Sequence, residues 1–271
     1  MKKVCMGTAL LGMLFFIGGP VLWMVLASFK TNQALLQVPV QYWPNPFTIE
    51  NYHYAWINSK FSDFFINSLI VSTVTSVVVM LVVTFSAYAL SRYSFRGKGV
   101  VLCMLFVTQI IPGLMLLTPI FDIFNAIGLV STLTGLILLF IAFQLPFNTL
   151  LMISFVDSIP YSLEEAAKVD GCSLTQIVIK IVFPLLRPGF IAVAAFAFIM
   201  SWNEYLFPVI FINDPAKFTI SIGIGYMIGA YGVKLGALAA GSMIAMVLPL
   251  GMFAVAQKYL VAGIAAGAVK E

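Results

Sequence analysis

The sequence predicts an all-α integral membrane protein of six transmembrane helices, with one cytoplasmic helix-turn-helix between its fourth and fifth spans. Three observations carry this. Hydrophobic residues make up 62% of the chain, charged residues only 9%, and mean hydropathy is +1.06, whereas soluble domains are about a quarter charged. The apolar residues fall in six blocks of spanning length, since about 20 residues cross the hydrocarbon layer. And one stretch, residues 162–184, is both charged and patterned like a soluble helix pair.

The first block follows Lys2 and Lys3 and covers about residues 7–28. A secretory signal has an apolar run of roughly 7–15 residues, so this longer run reads as a retained span. Residues 30–63 are polar and aromatic, with Pro39, Pro44, Pro46, Trp43 and Trp56, as expected of an external loop grazing the membrane interface. Further spans are expected near 64–90, 100–121, 127–156, 189–212 and 236–257, with Pro112 and Pro146 kinking the third and fourth. Between the last two, Asn213-Asp214-Pro215 signals a turn, and a glycine series follows. Gly225, Gly229, Gly232 and Gly236 would line one side of a helix for close contact, but an external loop with a short interfacial helix is the preferred reading.

Residues 162–184 predict two short amphipathic helices around a sharp turn. Ser162 with Glu165, and Ser173 with Gln176, have the spacing of capping boxes, and Gly171 sits where a left-handed residue ends a helix. Leu163, Ala166 and Ala167 share a face of the first helix; Leu174, Ile177, Val178, Ile181 and Val182 form the stripe of the second, which Pro184 stops.

Charge placement sets orientation. With a cytoplasmic N-terminus, one side receives Lys2, Lys3, Arg92, Arg96, Lys98, Lys168, Lys180, Arg187, Lys258 and Lys270, and the other only Lys30, Lys60, Lys217 and Lys234. Both termini and the 157–188 loop are therefore expected in the cytoplasm. The basic balance argues topology and not nucleic-acid binding.

Several chemistries lack their residues. Gly97-Lys98 has no glycine five residues before it and no Ser or Thr after it, so it is not a phosphate loop. One histidine, His53, lies in a loop, and Cys5, Cys103 and Cys172 form neither a disulfide framework nor a metal set. No catalytic, cofactor-binding or metal-binding residue is expected. An ion-driven carrier should bury several ionisable groups, yet only Glu204, within Trp202-Asn203-Glu204-Tyr205, lies inside a span. That cluster, with Gln109, Gln144 and Asn148, forms the candidate substrate pathway; Thr108 is a lesser polar point.

Glu165-Ala166-Ala167, three residues, Gly171, nine residues, Ile181 and Pro184 closely resemble the EAA motif of permease subunits in bacterial ABC importers of the type I fold. Phe183 stands where the motif usually has leucine. Phe65-Ile66-Asn67-Ser68 and Trp202-Asn203-Glu204-Tyr205 look like the carbohydrate-uptake branch. The tail from Gln257 to Lys270 resembles that of the maltose-type second permease subunit, with Glu271 where relatives commonly have glycine.

The resemblance implies a type I permease fold. Residues 1–63 would hold the first span and external loop, 64–258 the permease core, and 259–271 a cytoplasmic tail. It implies a multi-pass subunit of the bacterial inner membrane that forms half of a pathway for a sugar or oligosaccharide. Its partners would be a second homologous permease, a dimer of ATP-binding subunits and an extracytoplasmic solute-binding protein, with ATP and Mg on the ATPase chains. Coupling to the ATPase would run through Glu164, Glu165, Ala166, Ala167, Asp170, Gly171, Ile181 and Pro184, and tail contacts through Gly263, Gly267 and Lys270. Glu164, Glu165 and Asp170 would offer acceptors to basic groups of that partner. The alternatives are a type I permease for a polyamine or amino acid, an ion-coupled carrier, and a membrane enzyme.

Overall fold

A computed structural model describes residues 2–229 and 234–268, with side chains described for 6–8, 12–228 and 234–259. Among the described residues the regular elements are all helical. Among these residues four helices are long and apolar enough to cross a membrane, and two bent pairs raise the number to six if each pair is one span. The long helices are α1 (Lys2–Ser28), α2 (Phe61–Arg92), α5 (Leu133–Asp157) and α11 (Leu235–Ala268). Between α2 and α5 lie α3 (Lys98–Ile110) and α4 (Leu117–Ala126). The chain turns by 95° at Ile111 and Pro112, where the ring removes a backbone donor and bars helix at the preceding residue. Pro112 thus breaks the third block outright. α5 by contrast runs unbroken through Pro146.

After α5 come α6 (Tyr161–Val169), α7 (Leu174–Leu185), α8 (Arg187–Asn203), α9 (Leu206–Phe211) and α10 (Ile220–Gly229). Pro184 does not end α7. A π-turn over Val178–Val182 precedes it, with Phe183 N–H reaching back to Val178 O, and the helix continues to Leu185. Such a widened turn lets the proline ring pass the previous carbonyls. The chain then bends by 70° into α8, whose first turn holds Pro188 where no donor is lost. The fifth apolar block is likewise not continuous: it parts at Glu204 and Tyr205 into α8 and α9.

By internal contacts the chain divides into two units. In the first, residues 1–66 and 218–248, Asn51 Nδ2 donates to Ser28 O at 2.9 Å and Lys30 O at 2.7 Å, tying the loop to the end of α1. Lys30 is wholly buried and stands 4.2 Å from the Trp23 ring centroid, and burial lowers its pKa. The 213–235 stretch contains a true helix, α10. Its close contact falls at Gly223, against Phe64, and the close contact at the start of α11 falls at Gly236, against Asn51. Small residues in this region therefore do serve close packing, at Gly236 of the expected series and at Gly223 outside it.

The second unit, residues 67–217 and 249–271, carries the core. Val79, Val83 and Ala87 of α2, Met152, Phe155 and Val156 of α5, and Ala192, Val193 and Ala197 of α8 are buried together. The approach of α8 to α5 needs Gly189, since a Cβ there would lie 3.0 Å from Phe155 Cγ. Ala167, Ile177 and Val182 join the same cluster, so the α6–α7 pair is anchored to the helix core.

Candidate functional site: a latched helix pair and an aromatic cavity

The α6–α7 turn is a Schellman motif. Cys172 N–H donates to Ala167 O and Gly171 N–H to Lys168 O, satisfying carbonyls left open by the helix end. Gly171 has φ +79°, the left-handed conformation that glycine adopts without a Cβ penalty. Ser173 and Gln176 then form a reciprocal capping box at the start of α7.

The first expected capping box is absent. Helix α6 begins two residues earlier than a Ser162 cap would set it, at Tyr161 after Pro160, which places Ser162 inside the first turn, where its side chain does not cap. The buried face also differs. It consists of Glu164 and Ala167, while Leu163, Glu165 and Ala166 are exposed. The reason is a buried ion pair. Glu164 Oε1 accepts from Arg92 Nε at 2.6 Å and Oε2 from Tyr88 Oη at 2.8 Å. The Arg92 and Glu164 side chains are 10% and 2% exposed. Arg92 also donates through Nη2 to Val156 O at 2.9 Å and Ile159 O at 2.8 Å, closing the open carbonyl end of α5. One guanidinium therefore fastens the end of α2, the end of α5 and the start of α6.

This corrects the role expected of Glu164, whose acceptors are consumed inside the chain. The outward face keeps Glu165, Ala166, Asp170, Gly171 and Pro184, with Ile181 half-buried and Ala167 buried. Lys168 on the same helix donates to Tyr161 Oη at 3.1 Å, which raises its pKa. Gly263, Gly267 and Lys270 of the tail fall outside the residues whose side chains are described.

The second feature is a cavity of about 310 Å³ in the same unit. Its wall comprises Gln109 of α3, Phe140, Phe143, Gln144, Phe147 and Asn148 of α5, Phe196 and Met200 of α8, Glu204, and Phe207 of α9. Phe143 lies 4.8 Å from Phe207 and Phe147 4.6 Å from Phe196, ring centre to ring centre. Glu204 spans the helix break, with Oε1 accepting from the N–H groups of Tyr205 at 3.1 Å, Leu206 at 2.9 Å and Phe207 at 3.4 Å. The carboxylate thereby satisfies donors that the start of α9 leaves open.

Four of the seven expected pathway residues, Gln109, Gln144, Asn148 and Glu204, meet at this cavity. The other three do not line it: Trp202 is buried in a stack on Phe198, and Asn203 and Tyr205 are exposed elsewhere. Missed from the sequence were Arg92, Tyr88 and the phenylalanines. A signal for the latter exists, since Phe140, Phe143, Gln144, Phe147 and Asn148 follow the i, i+3, i+4, i+7, i+8 rule of a single helix face.

Residues 84–265 match the family described as "Binding-protein-dependent transport system inner membrane component". The chain belongs to this family. Among relatives of this permease, the sulfoquinovosyl glycerol transport system permease protein SmoH of Agrobacterium fabrum is 31% identical over 93% of this chain and 88% of its own length. The trehalose transport system permease protein SugB of Mycobacterium tuberculosis is 33% identical over 93% and 92%. A chain from the crystal structure of a bacterial ABC transporter involved in import of the acidic polysaccharide alginate shares the fold, with TM-score 0.81 at 23% identity, over 95% of the permease and 96% of that chain. The permease is therefore a multi-pass inner-membrane transport subunit.

Proposed function

We propose that this permease forms half of the translocation pathway of an ATP-driven importer for a sugar or oligosaccharide, and that its α6–α7 pair couples the pathway to a separate ATPase. The single observation carrying this is the helix pair. Its turn presents Glu165, Ala166, Asp170 and Gly171 outward, while Glu164 is locked inward on Arg92. Ala166 permits close approach of a partner surface, and Glu165 and Asp170 offer acceptors to its basic groups. The carbohydrate assignment is supported by relatives named for sulfoquinovosyl glycerol, diacetylchitobiose, trehalose and galactooligosaccharides.

In this reading a second homologous permease completes the pathway. Two ATP-binding subunits hold ATP and Mg, and an extracytoplasmic binding protein delivers the sugar. The excess of Lys and Arg supports a cytoplasmic location for both termini and the 157–188 loop; with α7 in that loop, the six spans of this reading are α1, α2, α3 with α4, α5, α8 with α9, and α11. ATP closure of the ATPase dimer moves the docked pair, and the latch passes that motion to α2 and α5. The tail residues Gly263, Gly267 and Lys270 add a second ATPase contact.

The test is Gly171→Val in the full chain expressed with its partner subunits. No atom lies within 4 Å of the added Cβ, but valine is strained at φ +79°. Membrane insertion should persist while ATPase co-purification and uptake fall. Normal assembly and uptake would refute coupling through this turn.

A further inference from the structure

The aromatic cavity carries more than a place on the pathway. Its wall contains five phenylalanines, two glutamines, Asn148, Met200 and Glu204, and no lysine, arginine or histidine. The amide orientations follow from their partners. Asn148 Nδ2 donates to the Gln144 carbonyl at 2.8 Å, so its oxygen is the other atom. Gln144 Nε2 donates at 2.8 Å to Ser201 Oγ, whose own proton goes to Ala197 O, so Gln144 is fixed as well. Both amide oxygens, Asn148 Oδ1 and Gln144 Oε1, are buried without a partner. An unpaired buried acceptor is costly, and the adjacent tilted phenyl rings present apolar, electron-rich faces.

Resting on the sugar-importer reading above, we propose that this cavity is a saccharide subsite of the permease itself, selective for neutral polyhydroxylated sugars over acidic ones. Hydroxyl donors pair with Asn148 Oδ1 and Gln144 Oε1 once small side-chain rotations turn these covered oxygens toward the space, and the C–H faces of a sugar ring lie on Phe143, Phe147, Phe196 or Phe207. An anionic sugar would meet a carboxylate, acceptor oxygens and negative ring faces, with no cation to offset its lost hydration. A polyamine would find only one carboxylate, already holding three backbone N–H groups. The volume is at the low end of ligand pockets and admits about one or two sugar rings at a time.

Saturation-transfer NMR on the full chain, co-purified with its partner subunits in lipid nanodiscs, tests this. The probes are a pool of trehalose, maltose, lactose and cellobiose, against digalacturonate and spermidine. Ring-proton signals are expected from at least one neutral disaccharide. Asn148→Leu and Gln144→Met, each removing one acceptor, should weaken them by about two- to tenfold. Gln109→Arg at the exposed edge should bring in digalacturonate signal. Silence from every neutral sugar, equal wild-type signals from digalacturonate or spermidine, or full binding in both amide variants would overturn the subsite. If instead a neutral sugar, given with its binding protein, stimulates ATPase while both amide variants bind normally, the subsite fails and the importer reading stands. Absence of sugar-stimulated ATPase with every sugar would count against the importer reading.

Discussion

Removing either partner of the Arg92–Glu164 pair should destabilise the permease, and the two removals should be unequal and non-additive. Breaking a buried ion pair from one side costs about 3–5 kcal/mol because the remaining charge is left uncompensated. Glu164→Ala leaves Arg92 still donating to Val156 O and Ile159 O, so its cost should lie near about 3 kcal/mol. Arg92→Ala leaves Glu164 with only the Tyr88 hydroxyl and also takes the Arg92 donor from Ile159 O, worth about 1–3 kcal/mol if it stays dry, while Val156 O keeps the Ile159 N–H at 3.1 Å. Arg92→Ala should therefore be the worse by about 1 kcal/mol or more. The double variant should recover about 1–3 kcal/mol relative to the sum of the singles. Arg92→Lys should fall between wild type and Arg92→Ala, because an ammonium can still pair with Glu164 but cannot also reach two carbonyls as the planar fork does. The assay is reversible denaturation of the full chain in lipid bicelles, followed by tryptophan fluorescence. A double variant additive within about 0.5 kcal/mol, or Arg92→Ala no worse than Glu164→Ala, would refute the latch.

Other consequences are more local. Gly189→Ala should cost about 1–3 kcal/mol, because a Cβ there meets Phe155 and Met152 at 3.0–3.1 Å, and the same denaturation assay reads it. Ser173→Ala removes one arm of the capping box and should lower stability by about 0.5–2 kcal/mol while leaving insertion intact. Lys30 has a lowered pKa, so the folded chain binds fewer protons there than the unfolded one. Its contribution rises with pH through the interval between the lowered value and 10.5, and wild-type stability should gain on Lys30→Met as pH climbs through that interval.

What the sequence revealed and what it hid divide along a physical line. Local rules acting through the backbone were legible: Gly171 in a left-handed turn, Ser173 with Gln176 as a capping box, and a change of direction at Pro112, though as a break where a kink was expected. So were the positions of the apolar blocks, because hydrocarbon thickness imposes their length. Hidden were features created by residues far apart in the chain. Glu164 read as a surface acceptor, since nothing within its own helix shows that Arg92, 72 residues away, neutralises it. That hidden pairing also explains the misplaced capping box and the rotated face of α6. Once Glu164 turns inward, Leu163 and Ala166 must turn out. Pro184 misled for a related reason: a rule for regular α-helix does not anticipate the π-turn that lets the chain pass it.

Glu204 shows how one residue can satisfy both the structural and the functional reading of a carboxylate inside a span. Insertion of a charge is expensive, which makes such a group a site hypothesis by default. Here the cost is offset locally, since one carboxylate oxygen holds three N–H groups at the break between α8 and α9. The same break creates the cavity wall, because α9 restarts in a direction that brings Phe207 against Phe143. Neutralising Glu204 should thus act on shape before it acts on charge. Glu204→Gln keeps one acceptor oxygen for the N–H groups and should retain the break, whereas Glu204→Leu leaves three donors open and should disturb α9 and the Phe143–Phe207 contact. Hydrogen exchange at Tyr205, Leu206 and Phe207 distinguishes the two: protection should persist in the glutamine variant and collapse in the leucine variant. Equal protection in both would mean that the carboxylate is not what holds the break.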